Sequence, residues 1–149
     1  MKVKFSVSLV IHHPSNSKFM LTVKRPEDDF ELHGLWGLPA CSLHKYESLE
    51  LAASRVGPEK LGLVLPAGKI IADGTQERTD YLLTMVLFET ISPTKLFNLP
   101  EILPEKTFYT DWKWAELSHF EDSAKQGSLC CQLLITPSFS KQKILDKFT

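Results

Sequence analysis

The sequence predicts an α/β fold built as one domain over residues 1–149. Three observations carry this. Apolar residues alternate near the N-terminus, a helical period appears after Ser48, and a long apolar run at Asp80 to Ile91 suits a central strand. A chain of 149 residues that is 43% hydrophobic is long enough for one packed core and too short for two ordinary domains.

In Met1 to His13 the apolar residues Val3, Phe5, Val7, Leu9 and Ile11 stand two apart. That is the period of a strand, and the segment lacks the continuous apolar stretch of a signal peptide. Lys18 to Arg25 reads as a second strand, joined to the first as a hairpin through the turn-rich Pro14-Ser15-Asn16-Ser17. A polar loop from Pro26 to His33 leads to Gly34-Leu35-Trp36-Gly37-Leu38-Pro39, a brief strand feeding a turn.

Ser48 is a candidate N-cap, because Leu49, Ala52, Ala53 and Val56 then fall on one face of a helix. Gly57 is a poor helix former and Pro58 has no N–H to bond back to Ser54, so a stop or kink is expected after Val56. Lys69 to Ala72 and Asp80 to Ile91 read as further strands, and Trp112-Lys113-Trp114 resumes alternation beyond a proline-rich linker. A short helix is expected around Ser118 to Lys125 and an extended piece over Cys130 to Ile135. Thr136-Pro137 opens a last helix carrying Ile144, Leu145 and Phe148.

Charge and cysteine usage exclude several classes. Seventeen Lys and Arg against eighteen Asp and Glu leave a net charge of -1, so no global field draws the chain to nucleic acid or acidic membranes. No stretch approaches the roughly 20 apolar residues of a membrane span. Three cysteines, two of them adjacent, do not make a secreted disulfide framework, which fits a reducing, cytoplasmic setting. The sequence has no Cys-x-x-Cys or paired-His spacing for zinc.

The stretch Trp36 to Leu63 resembles the Nudix box, G-x5-E-x7-R-E-U-x-E-E-x-G-U with U apolar, without a gap. Glu47, Arg55, Glu59, Gly62 and Leu63 stand where that pattern asks, and Gly34 to Pro39 looks like the family's lead-in. Four positions depart: Cys41 for the first glycine, Val56 for the glutamate after the arginine, Gly57 for the apolar residue and Lys60 for the last glutamate. Arg25 sits where the family commonly has a Lys-Arg pair, and Trp112 resembles a tryptophan that follows the box in many members.

The resemblance implies a Nudix-type α/β/α sandwich with a mixed central sheet. Helices near Ser48 to Val56 and Ser138 to Phe148 would lie on opposite faces. It also implies chemistry. The family's glutamates at the positions of Val56, Glu59 and Lys60 hold Mg²⁺ against a diphosphate and help activate water, because a hard cation wants oxygen ligands. Here Glu59 is the one that survives, as candidate catalytic residue and metal ligand. Lys60 is worse than a neutral loss: unit charges 4 Å apart near a surface interact by roughly 4 kcal/mol, and attraction has become repulsion.

Glu59 with Glu50, or with Glu101, Glu105 or Asp111 of the later loop, could assemble a weaker site. Alternatively Lys60 could bind phosphate as a point cation in the metal's place. Arg25, Lys60 and Trp36 are the candidate substrate-binding residues, Trp36 being either packed or stacked on a base. Glu47, Arg55 and Gly62 are expected to brace the box. Cys41 with His44 three residues on makes a nucleophile pair conceivable, and Cys130-Cys131 read as buried filler.

The first functional reading is a hydrolase of nucleoside diphosphates linked to another group, weak or altered, with Mg²⁺ or Mn²⁺ as cofactor if active. The second is a non-hydrolysing domain that binds a nucleotide or a protein partner and needs no metal. A nucleotide-like small molecule is the expected ligand, with no nucleic acid and no membrane, and a homodimer is compatible with the resemblance.

Overall fold

The computed structural model describes residues 2–26, 34–100 and 108–138. Among these, seven strands form one sheet: β1 (Lys2–His12), β2 (Met20–Lys24), β3 (Trp36–Gly37), β4 (Ala40–Ser42), β5 (Lys69–Glu77), β6 (Tyr81–Ile91) and β7 (Asp111–Ala115). The order is β3-β2-β1-β6-β5, with β4 also pairing β1 and β7 pairing β2. β1 and β6 run parallel from Lys2↔Tyr81 to His12↔Ile91, and the other pairings are antiparallel, so the sheet is mixed as expected.

The β1–β2 connection is the expected hairpin, closed by the His13 N–H on the Phe19 carbonyl at 2.9 Å. Alternation along β1 then sorts the two sides of the core. Val7, Leu9 and Ile11 join Leu21, Val23, Val86 and Phe88 beneath α1 (Leu49–Val56). On the other face Val10, Met20, Met85 and Leu87 meet Phe120, Leu129, Cys131 and Leu133. These last four come from a 3₁₀ turn (Leu117–Phe120), which α2 (Glu121–Lys125) continues, and from α3 (Leu129–Ile135). Phe120 is fully buried and contributes roughly 1.5–3 kcal/mol by removal of its ring from water.

The three layers are therefore helix, sheet, helix. The covering helices of the second face are α2 and α3, and residues 139–149 of the expected last helix lie outside the described residues. Ser138 is described and is not helical: it holds Asp73 of β5 through its carbonyl and its hydroxyl.

Cys130 to Ile135 corrects the sequence reading, since it is helix rather than an extended piece. Its run of apolar residues carries no clean period, so length and periodicity do not decide between the two. The structure decides it by closing a turn on Ser128, whose carbonyl accepts the Gln132 N–H at 3.0 Å, and by laying Leu129, Cys131 and Leu133 on β5 and β6. No described helix is long and apolar enough to cross a membrane.

α1 begins as expected, with the Ser48 hydroxyl accepting the Leu51 N–H at 3.1 Å. The α winding stops at Val56 as expected, but the chain stays helical. It widens into a π turn over Gly57–Leu61, which Gly62 ends in the left-handed region at φ 68. Pro58 cannot return a hydrogen bond to Ser54, and the wider winding accommodates the missing donor. The Gly57 carbonyl takes both the Gly62 and the Leu63 N–H groups, which locks the turn.

Candidate functional site

Arg55, in the last turn of α1, organises the box. Its Nε and Nη2 grip both oxygens of Glu47 at 2.6 and 2.8 Å, Nη1 reaches Glu59 Oε2 at 2.6 Å, and Nη2 also meets the Ser42 carbonyl at 2.9 Å. Glu47 further accepts the His44 N–H at 3.0 Å. The spacing explains the geometry, because Glu59 follows Arg55 by four residues on a helical surface. Charge-assisted hydrogen bonds of this kind are the strong ones.

The Arg55 hydrogen bond, helped by the His44 N–H, draws the Glu47 carboxyl down from its ordinary 4.5 to about 2, and the same pairing raises Arg55. A carboxylate with a depressed folded-state pKa stabilises the fold above its unfolded value and ceases to do so as pH falls through the folded one. Urea melts of the native chain should therefore lose stability between pH 4.5 and about 2 through this group. Glu47→Gln should flatten that part of the profile, and an unchanged acid limb would show that Glu47 is not the group responsible.

A cavity of about 180 Å³ opens beside the box, between β1, β4, β6, the π turn and the start of α3. Its walls carry four cationic side chains, Lys4, Arg25, Lys60 and Arg78, and no carboxylate among the described residues that line it. Lys60 Nζ stands 5.8 Å over the Phe108 ring and Lys4 Nζ 5.5 Å over Tyr81, so both are seated on aromatic faces. The Tyr109 hydroxyl bonds to the N–H of Ala40 at 2.8 Å and to its carbonyl at 3.3 Å, and burial pushes it up to about 12, which keeps it protonated.

The predicted residues separate accordingly. Arg25 and Lys60 both line the cavity, while Glu59 is not among its lining residues and is held by Arg55. Trp36 is not among the lining residues; Lys113 Nζ lies 4.3 Å over its ring and His119 packs on its edge. Cys41 lines the cavity but donates its thiol to the Ala52 carbonyl at 3.3 Å, and burial raises its pKa. Sequence reasoning missed Lys4, Arg78, Tyr81 and Tyr109. The one available signal was the alternation that puts Lys4 on the side of Ser6 and Ser8 in β1.

The donor set can be compared with what a divalent cation requires. Glu50 lines a separate hollow with Leu9, Ala53 and Leu65, Asp111 accepts the Trp112 N–H, and Glu101 and Glu105 lie outside the described residues. Among the described residues no group of three His, Cys, Asp or Glu side chains converges. Among the described residues, one carboxylate held by an arginine, beside a lysine, does not by itself supply the several oxygen ligands that Mg²⁺ or Mn²⁺ needs.

No family model matches the sequence, and no curated protein matches it. Solved structures do. A MutT protein from Methanosarcina mazei Go1 superposes with TM-score 0.67 at 20% identity, over 80% of this chain and 80% of that one. The NUDIX domain of Shewanella oneidensis NrtR, solved as a complex with ADP ribose, gives 0.64 at 20% identity, over 100% of this chain and 90% of that one. A MutT NUDIX hydrolase from Burkholderia pseudomallei gives 0.60 at 18%, over 79% and 86%. The chain has the Nudix fold.

Proposed function

We propose that this Nudix-fold chain binds a nucleotide-like ligand through its phosphates, with Lys60 and its cationic neighbours supplying the charge that a metal would otherwise bring. The observation that carries the reading is the cavity with four cationic side chains and no described carboxylate on its walls. Two adjacent phosphates bring several negative charges, and a guanidinium adds planar, two-pronged hydrogen bonding to a lysine's point charge. The ADP ribose held by the NrtR NUDIX domain supports a nucleoside diphosphate joined to a further group as the ligand class.

Calorimetric titration with ADP ribose and with inorganic pyrophosphate, in EDTA and again in Mg²⁺, tests this. Binding in EDTA that weakens with added salt is expected. Binding that requires Mg²⁺ would overturn it.

A second reading is favoured by Glu59, the box glutamate that remains in register. It is weak hydrolysis of such a diphosphate with Mg²⁺ or Mn²⁺. Its expected result is phosphate-containing product from ADP ribose that disappears in Glu59→Gln, and a flat time course in the native chain with either metal excludes it.

A further inference from the structure

We infer that His12 is a pH-operated clasp: as an imidazolium it ties the turn of the β1–β2 hairpin to β6, and loss of one ring proton releases the turn and widens the groove beside it. His12 ends β1, and its ring stands between two acceptors. Nδ1 lies 2.9 Å from the Ser17 carbonyl oxygen in the turn, and Nε2 lies 3.1 Å from Glu89 Oε2 on β6. A backbone carbonyl has no hydrogen to give, and neither has an ionised carboxylate. Both contacts are therefore hydrogen bonds only when both ring nitrogens carry a proton, and a neutral ring makes one of them at most.

Glu89 stays ionised where the ring titrates. The His12 hydrogen bond, and after it that of Lys69, holds its carboxyl below the ordinary carboxylate range, whereas an imidazole changes charge between about pH 5 and 8. Lys69 Nζ stands 3.4 Å from Glu89 Oε1, so the carboxylate joins β5 to the clasp. The other titratable neighbour is His13, whose Nδ1 accepts the Ser15 N–H at 3.0 Å and whose ring packs on Trp114. Lys18 follows the turn and does not line the groove, and neither Pro14 to Ser17 nor Pro66 to Gly68 carries a charge.

The neutral ring keeps its proton on Nε2, because a hydrogen bond to a carboxylate is stronger than one to a carbonyl. The Nδ1 lone pair then faces the Ser17 oxygen, and two acceptors at that distance repel. The turn is the part that yields, since residues 14–18 are all exposed. Two further bonds of the turn, from the Phe19 N–H to the Asn16 carbonyl and from the Lys18 N–H to the Asn16 side chain, are internal to it. Ser17, His12 and Glu89 line a groove of about 860 Å³ with Pro66 and Gly68 opposite, and this groove shares no lining residue with the cavity beside the box. The clasp is closed below the titration of His12 and open above it, whatever the cavity binds.

Nuclear magnetic resonance of the isotope-labelled chain, titrated from about pH 5 to 8, reads each step. Both His12 ring nitrogens should be protonated at the acid end and Nε2 alone at the other. The amides of Asn16, Ser17 and Lys18 should shift with the midpoint of the His12 ring. Hydrogen exchange at the Phe19 N–H, corrected for its intrinsic pH dependence, should be roughly tenfold faster in the open form, the scale of one lost charge-assisted hydrogen bond. His12→Gln should remove this step, and His13→Gln should keep it. A His12 ring that is neutral at the acid end, turn amides that ignore its titration, or a step that persists in His12→Gln overturns the clasp.

A neutral paramagnetic chelate in solution reports the groove. It should broaden the Gly68 and Ile91 amides more at the alkaline end, and equal broadening at both ends refutes the widening.

Discussion

Lys60→Glu is expected to weaken pyrophosphate binding in EDTA by about a hundredfold, on the order of 3 kcal/mol. Replacing a cation with an anion changes the local charge by two units, which at 4 Å near a surface would amount to roughly 8 kcal/mol. The smaller figure is expected because Lys60 is only half-buried and solvent screens it. Lys60→Gln should lose less, since it deletes the charge without reversing it. Titration calorimetry at one fixed ionic strength measures both, and an affinity unchanged within twofold for Lys60→Glu would remove the residue from the binding site. Mg²⁺ should add nothing to binding in the native chain, yet could partly restore it in Lys60→Glu, where a second carboxylate would stand beside Glu59.

Gly57→Ala is expected to lower stability by roughly 3 kcal/mol, at the upper end of the usual cost of overpacking. A Cβ built at Gly57 would lie 2.3 Å from the Leu63 carbonyl oxygen and 3.1 Å from Leu65 Cγ. The first of these neighbours is backbone, and it belongs to the segment whose N–H closes the π turn on the Gly57 carbonyl. No rotamer change relieves such a clash. In urea the midpoint should fall with an unchanged slope, because the surface exposed on unfolding stays the same. A loss within about 0.5 kcal/mol, the usual scatter of surface substitutions, would mean that the turn opens at little cost. The departure from the box pattern at this position thus has a steric cause: the apolar residue that the pattern asks for has no room beside Leu63.

Much of this architecture is legible in the sequence, and the reasons are local. Alternation in Val7 to Ile11, the Ser48 cap with its helical period, and the apolar run of β6 each reflect one element's contact with the core, so each can be read from neighbouring residues, whereas Val3 and Phe5 keep the period but are exposed. The Glu47–Arg55 brace is legible for the same reason, since both belong to one loop and the helix that follows it, whereas the ion pair of Arg55 with Glu59 is not anticipated by the sequence. β4 is three residues long, too short for a period to show. α3 fails because a seven-residue segment that is apolar but for Gln132 has no face until a sheet is laid against it. The cavity is hardest to foresee, because Lys4, Arg25, Lys60 and Arg78 come from four distant segments, and each alone reads as an ordinary surface charge.

The two longest strands, β1 and β6, pair side by side in the same direction although about eighty positions of chain separate their partners, a long loop to close before either is rewarded. During synthesis β1 is made before β6, and the edge of β1 that pairs with β6 stays unpaired until Ile91 has been made. Refolding should accordingly be slow for a chain of this size, and fragments that stop short of β6 should aggregate rather than fold.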